Sequence, residues 1–142
     1  MTNAIIVDVD GTLALRGDRS PYDLTKVHLD RPNWPVIRAV LLYHRAGHTV
    51  IVMSGRLEDS RADTEAWLRF HGVPFDRLLM RPRPYPGEDQ APDQDVKLGL
   101  YRVHVEGKFT INAVFDDRLR VARMWHSIGL PLFRVGDPDA DF

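Results

Sequence analysis

The stretch that decides the fold is Ile5-Ile6-Val7-Asp8-Val9-Asp10-Gly11-Thr12-Leu13. Its apolar, β-branched start reads as a strand buried on both faces, and two carboxylates stand where such a strand has to end. Two charges one residue apart do not belong inside a core, so Asp8 and Asp10 are expected at the strand's C-terminal mouth. Two like charges there imply a cation, or a reaction in which one carboxylate is the nucleophile and the other the acid/base. Gly11 lets the backbone turn away sharply. Taken alone, Asp-x-Asp-Gly is also an ordinary polar turn, so the rest of the chain has to decide.

Downstream, apolar spacing at Trp34, Ile37, Val40, Leu41 and Tyr43 predicts a helix over 33–46, with Pro35 in its first turn and Gly47 as its stop. Thr49–Met53 predicts a second buried strand, and strand, helix, strand implies a parallel pair with a right-handed crossover. Parallel neighbours place their C-terminal ends on one edge, so Ser54, Gly55 and Arg56 are expected near Asp8 and Asp10. In isolation Ser54 reads as a helix cap. At that edge, its hydroxyl, Gly55 and the start of the next helix offer donors to phosphate oxygens. That helix, about 58–70, is expected to turn Ala62, Ala66, Trp67 and Phe70 inward.

A short strand at 78–80 precedes a segment, 81–92, whose four prolines exclude regular helix or central strand. Its Arg81, Arg83 and Tyr85 are either a stiff surface loop or a contact for an anionic chain. Asp93 to about Val105 predicts a helix with Lys97 one turn in, a position that opposes the helix dipole unless an anion lies nearby. A strand at 110–115 breaks off at Asp116-Asp117-Arg118. This second acidic pair on one sheet edge discriminates, because two such pairs repel without a hard cation, and oxygen ligands with a substrate phosphate suit Mg²⁺. A last helix through Val121, Ala122, Trp125 and Ile128, then a strand at 131–135, completes five parallel strands alternating with helices. The expectation is an α/β doubly wound parallel sheet of order 3-2-1-4-5.

The chain has 142 residues, 44% of them apolar, which fits a single domain over 1–142 with a sizeable core. A net charge of -1 excludes an overall field for nucleic acid or anionic membrane, so any phosphate affinity is local. Arginine greatly outnumbers lysine, which suits bidentate phosphate contacts. The absence of cysteine excludes disulfides, thiolate chemistry and thiolate zinc sites. No stretch reads as a membrane span or a signal peptide, and a cytoplasmic protein is expected. Residues 14–32 form a polar connection of a length that is often functional, with Arg16 and Arg19 placed to reach back over the Asp8 mouth.

Together, DVDGT, the Ser54 strand end, Lys97 and the Asp116-Asp117 pair resemble the haloacid dehalogenase (HAD) phosphohydrolase superfamily over nearly the whole chain. DVDGT followed by GDRSPYDL, VMSGR, DQDVK, FDDR and a terminal DADF is more closely similar to the 3′-phosphatase half of phage-type polynucleotide kinase/phosphatases. The resemblance implies a capless, Rossmann-like HAD sheet. It implies Asp8 as nucleophile, Asp10 as general acid/base, and Ser54 and Lys97 as phosphate holders. Thr12, Arg19, Gly55, Arg56, Asp93 and Arg118 are implied as substrate-binding or supporting residues, and Asp8, Asp10, Asp116 and Asp117 as metal ligands. The implied activity is Mg²⁺-dependent release of phosphate from DNA or RNA 3′-phosphate ends through an aspartyl-phosphate. Chemistry on a small phosphorylated metabolite, phosphotransfer from a stable aspartyl-phosphate, and a non-catalytic module holding nucleic-acid ends stay open. No GxxxxGK[ST] occurs, so kinase activity in this chain is not supported. A homo-oligomer and a separate kinase or ligase partner are both compatible with the sequence.

Overall fold

The computed structural model describes residues 1–17 and 20–142. Five parallel strands form the central sheet: β1 (Thr2–Val7), β4 (Thr49–Leu57), β5 (Arg77–Arg81), β6 (Phe109–Asp116) and β7 (Leu132–Arg134). Their order across the sheet is β5-β4-β1-β6-β7, which is the expected 3-2-1-4-5 arrangement. Four helices connect them: α1 (Trp34–Arg45), α2 (Arg61–Phe70), α3 (Asp93–His104) and α4 (Leu119–Ser127). Two short strands, β2 (Ala14–Leu15) and β3 (Arg31–Pro32), pair antiparallel, and a 3₁₀ helix at Leu24–Leu29 lies between them. Among the described residues, no helix is long and apolar enough to cross a membrane.

The sheet is covered on both sides, as a near-continuous apolar strand requires. On one side Ile5, Val7, Val50 and Val52 pack with Ile37, Val40, Trp67 and Leu68 of α1 and α2. On the other, Ala4, Ile6, Ile51, Met53 and Val114 pack with Leu100, Val121 and Trp125 of α3 and α4. Successive residues of one strand thus feed opposite layers.

Two irregularities shape the sheet and its C-terminal edge. Between β1 and β6 the register steps from Ala4 opposite Ile111 to Ile5 opposite Ala113, so Asn112 is an extra, exposed residue bulged out of β6. Between β4 and β5 the register steps from Ser54 opposite Met80 to Leu57 opposite Arg81, leaving Gly55 and Arg56 outside the ladder.

Three expectations are corrected. The second sheet strand does not stop at Met53 but runs on through the Gly55-Arg56 bulge to Leu57, so no helix begins at Ser54. The inner face of α2 is Thr64, Trp67 and Leu68, while Ala62 and Ala66 are exposed and Phe70 is 85% exposed. Trp67 sits in both an Ala62-Ala66-Phe70 stripe and a Thr64-Trp67-Leu68 one, and the polar Thr64 concealed the second. Trp34 lies half-exposed at the start of α1, whose buried residues are Val36, Ile37 and Val40.

Candidate active site

Asp8 follows β1 directly, its amide donating to the Phe115 carbonyl of β6 at 2.9 Å, which keeps the two strand ends level. Its carboxylate is almost completely buried. Lys97, 3% exposed, reaches from the first turns of α3 and donates to Asp8 Oδ1 at 2.7 Å and Asp116 Oδ2 at 2.8 Å. Thr12 donates to Asp8 Oδ2 at 3.0 Å, and its hydroxyl also lies 3.4 Å from Asp117 Oδ1. Trp125 of α4, fully buried, donates its indole N–H to Asp116 Oδ2 at 3.2 Å. Both oxygens of Asp8 are therefore fixed before any substrate arrives.

Asp8, Asp116 and Asp117 bring one carboxylate oxygen each within 4.8 Å of one another. Burial, followed by the neighbouring carboxylate of Asp116, pushes the Asp8 carboxyl well above its ordinary range, and Lys97 only partly opposes this. Burial likewise raises Asp117. Burial works against the ammonium of Lys97, but Asp116 and Asp8 outweigh it, so the lysine titrates above its ordinary value and stays charged. Three carboxylates face one ammonium, and the cluster offers only oxygen donors. That donor set and charge deficit fit a hard divalent cation such as Mg²⁺. Asp10, also expected among the ligands, is not one of these three, and its carboxylate accepts from Arg56.

The Gly55-Arg56 bulge explains where Asp10 goes. The Arg56 amide donates to Ser54 Oγ at 3.0 Å, folding the bulge over, and its buried guanidinium crosses to Asp10. Nε donates to Asp10 Oδ2 at 2.9 Å and Nη2 to Asp10 Oδ1 at 2.7 Å. The same guanidinium donates to Asp30 Oδ2 at 3.3 Å and to Thr64 Oγ1 at 3.0 Å. The Trp67 indole donates to the Asp30 carbonyl at 3.0 Å, tying this network to α2. A bidentate pair fixes the Asp10 carboxylate in orientation as well as position.

These groups lie in a cleft of about 850 Å³ at the C-terminal edge of the sheet. Its lining includes Leu15, Arg16, Tyr22 and Arg31 from the β2–β3 segment and, from later in the chain, Arg118 and Phe142. Asp93, at the start of α3, is held between Arg81 and Arg118. Arg134 of β7 donates to the carbonyls of Asp117 at 3.2 Å, Pro138 at 2.9 Å and Ala140, so the last residues fold back onto the site.

Of the residues singled out in sequence, Asp8, Asp10, Gly55, Arg56, Asp93, Lys97, Asp116, Asp117 and Arg118 all line this cleft. Ser54 and Thr12 are buried, Ser54 Oγ accepting from the Arg56 amide and Thr12 donating to Asp8. Arg19 lies outside the described residues. Arg81, which also lines the cleft, is braced as a strut: it is mostly buried and donates to the Gly55 carbonyl at 2.8 Å and to the Ala91 carbonyl. Arg83 is exposed and pairs with Asp59. Sequence reasoning missed Asp30, Thr64, Arg134 and the Trp125 donor. Only the last left a signal, because a tryptophan on the buried face of a helix needs an acceptor for its N–H.

Comparison with known proteins points one way. The family model described as "Polynucleotide kinase PNKP phosphatase domain" matches residues 2–142. A candidate bifunctional polynucleotide kinase/RNA ligase of Autographa californica nuclear polyhedrosis virus is 35% identical over 131 residues, which are 90% of this chain and 18% of that protein. The solved Pnkp1/Rnl/Hen1 RNA repair complex contains a chain 34% identical, with a TM-score of 0.90 over 98% of this chain and 44% of that one. A D,D-heptose 1.7-bisphosphate phosphatase from B. bronchiseptica, 17% identical, shares the fold with a TM-score of 0.63 over 96% of this chain and 80% of its own. The chain thus spans less than half the length of the polynucleotide-repair relatives it matches.

Proposed function

We propose that this chain, which belongs to the family of polynucleotide kinase PNKP phosphatase domains, removes the terminal phosphate from 3′-phosphate ends of DNA or RNA, with Mg²⁺ as its cofactor. The observation that carries the chemistry is a buried carboxylate, Asp8, held between Lys97 and Thr12 with Asp10 locked by Arg56 at the same cleft. We take residues 1–142 as one phosphatase unit, acting in the cytoplasm.

In this reading the Asp8 carboxylate attacks phosphorus in line, and the bond to the sugar oxygen breaks as the Asp8–phosphorus bond forms. Asp10 gives its proton to that leaving oxygen. Now ionised, Asp10 takes a proton from water, which attacks the aspartyl-phosphate and frees inorganic phosphate and Asp8. Lys97 keeps its charge throughout and offsets that of the incoming phosphoryl oxygens. Asp8, Asp116 and Asp117 would hold the Mg²⁺, whose positive charge further neutralises those oxygens.

The polynucleotide substrate is supported by family membership and by the open edge. The β2–β3 segment and residues 81–92 form rims rather than a domain that closes over the cleft. Arg16 and Arg31 line it as cations for a phosphate backbone, so binding should be salt-sensitive and weak in sequence preference. Repair relatives named for kinase and ligase activities support a kinase or ligase partner, on the same polypeptide or another.

Phosphate release under Mg²⁺ is to be compared among oligonucleotides with 3′-phosphate or 5′-phosphate ends, free nucleotides and sugar phosphates. Selective release from 3′ ends is expected. A clear preference for sugar phosphates or for 5′ ends would overturn the substrate assignment, and no release from any of them would overturn the enzyme.

A further inference from the structure

We infer that Phe142, backed by Arg118, is a stacking platform for the nucleobase of the terminal nucleotide, which deepens the 3′-end reading above and rests on it. Phe142 is 45% exposed in a cleft whose walls are otherwise mostly charged. An apolar ring there has nothing to offer a phosphate or a sugar hydroxyl, but it matches the π-face of a base.

Its placement is built rather than incidental. The Arg118 guanidinium lies 5.5 Å from the ring centroid, within cation–π range, and is itself anchored to Asp93. The Phe142 carbonyl accepts from the Arg120 amide at 3.4 Å. Upstream, Arg134 clamps the carbonyls of Pro138 and Ala140 to that of Asp117. A single side chain therefore connects the tail bearing the ring to the loop bearing a metal-cluster carboxylate. The Arg118 amide lies 3.4 Å from Asp116 Oδ1 of the acidic cluster and its guanidinium carries the ring, so a phosphate end bound at the cluster has Phe142 lining the same cleft for the adjoining nucleoside.

Tyr22, which also lines the cleft, is the competing aromatic. It is 92% exposed, and its amide donates to the nearby Ser20 hydroxyl at 3.3 Å. A ring ordered on a guanidinium loses less freedom on stacking than one standing in water.

The test compares an oligonucleotide with a normal 3′-terminal nucleoside 3′-phosphate against the same oligonucleotide whose terminal residue is abasic. The wild-type chain is expected to prefer the base-bearing end, chiefly through KM. Phe142→Ala should shrink that preference about tenfold, in line with base–aromatic stacking, and Phe142→Trp should keep it. An unchanged preference in Phe142→Ala would overturn the platform, as would a collapse in Tyr22→Ala in its place. Wild-type protein inert on 3′-phosphate ends but active on another phosphate ester would remove the 3′-end reading and the platform with it. Normal 3′-end activity with no response at Phe142 removes the platform alone.

Discussion

The proposed role asks Asp8 to stay ionised as a nucleophile, yet it is buried beside two other carboxylates and pushed toward its neutral form. The tension is what makes the site useful. In the proposed mechanism, strong solvation would quench the nucleophile, and the cation and the substrate complete the stabilisation that Lys97 begins. Asp8→Asn should lower turnover by at least about a thousandfold, since it removes the attacking oxygen. The same change relieves repulsion, because Lys97 retains Asp116 and the Thr12 hydroxyl retains Asp117, so the metal-free variant should melt above wild type in differential scanning calorimetry. Asp10→Asn should cost about 10²–10⁴ in turnover, the usual contribution of a general acid/base, and acid-quenched single turnovers should then reveal accumulated phosphoprotein. The acidic pairs and the lysine were legible in sequence because charge at the end of a buried strand has few explanations. Asp30 and Thr64 were not, because a polar residue held by a distant arginine looks like any surface residue until the chain is folded.

Among the elements, the bulge in β4 has the most effect on the site. It carries Arg56 across to Asp10 and brings the backbone of Gly55 against Asp93. A Cβ on Gly55 would sit 2.8 Å from Asp93 Oδ1, and Asp93 cannot retreat easily while Arg81 and Arg118 grip it. Gly55→Ala should therefore destabilise by about 1–3 kcal/mol, as overpacking does, and should weaken substrate binding. Gly99→Ala, in α3 with open space at its Cβ, should instead stabilise by about 0.5–1 kcal/mol. Urea unfolding of the two variants checks both signs. Strands and helices were readable from apolar runs and periodicity, and so was their order. The bulge was not, because Ser54-Gly55-Arg56 has the composition of a loop and only its pairing with Met80 and Arg81 reveals it as strand. The faces of α1 and α2 were partly misread for a related reason: Trp34 and Phe70 are apolar yet stay outside.

For the molecule as a whole, the acidic cluster couples stability to protons and to metal. Asp8 and Asp117 both titrate above their ordinary values, chiefly through burial. A group that binds its proton more tightly when folded supports the fold fully below its unfolded value and loses that support as pH rises through the folded one. The chelated protein should therefore lose stability as pH climbs above about 4, over a range in which exposed carboxylates are already ionised. Mg²⁺ should restore it, by about 2.7 kcal/mol at a hundred times its Kd, with the gain fading as acid protonates the cluster. Melting curves with and without chelator across that range would check the sign, and an equal melting temperature in both at neutral pH would refute the cation site. The bulged Asn112 works at the same scale. Before it, Ile111 packs with the α3–α4 layer; after it, Val114 does, and Asp116 follows two residues later on that side, where Lys97 and Trp125 meet it. The residue is a phase shifter, and drawing it into the regular ladder would be a geometric frameshift: each downstream side chain of β6 would change layers, with Asp116 turned toward α1 and α2 and Phe115 aimed at the lysine. Deleting Asn112 is thus expected to leave Asp116 on the lysine side, whereas one residue added to the paired part of β6 between Ala113 and Asp116 would turn it away.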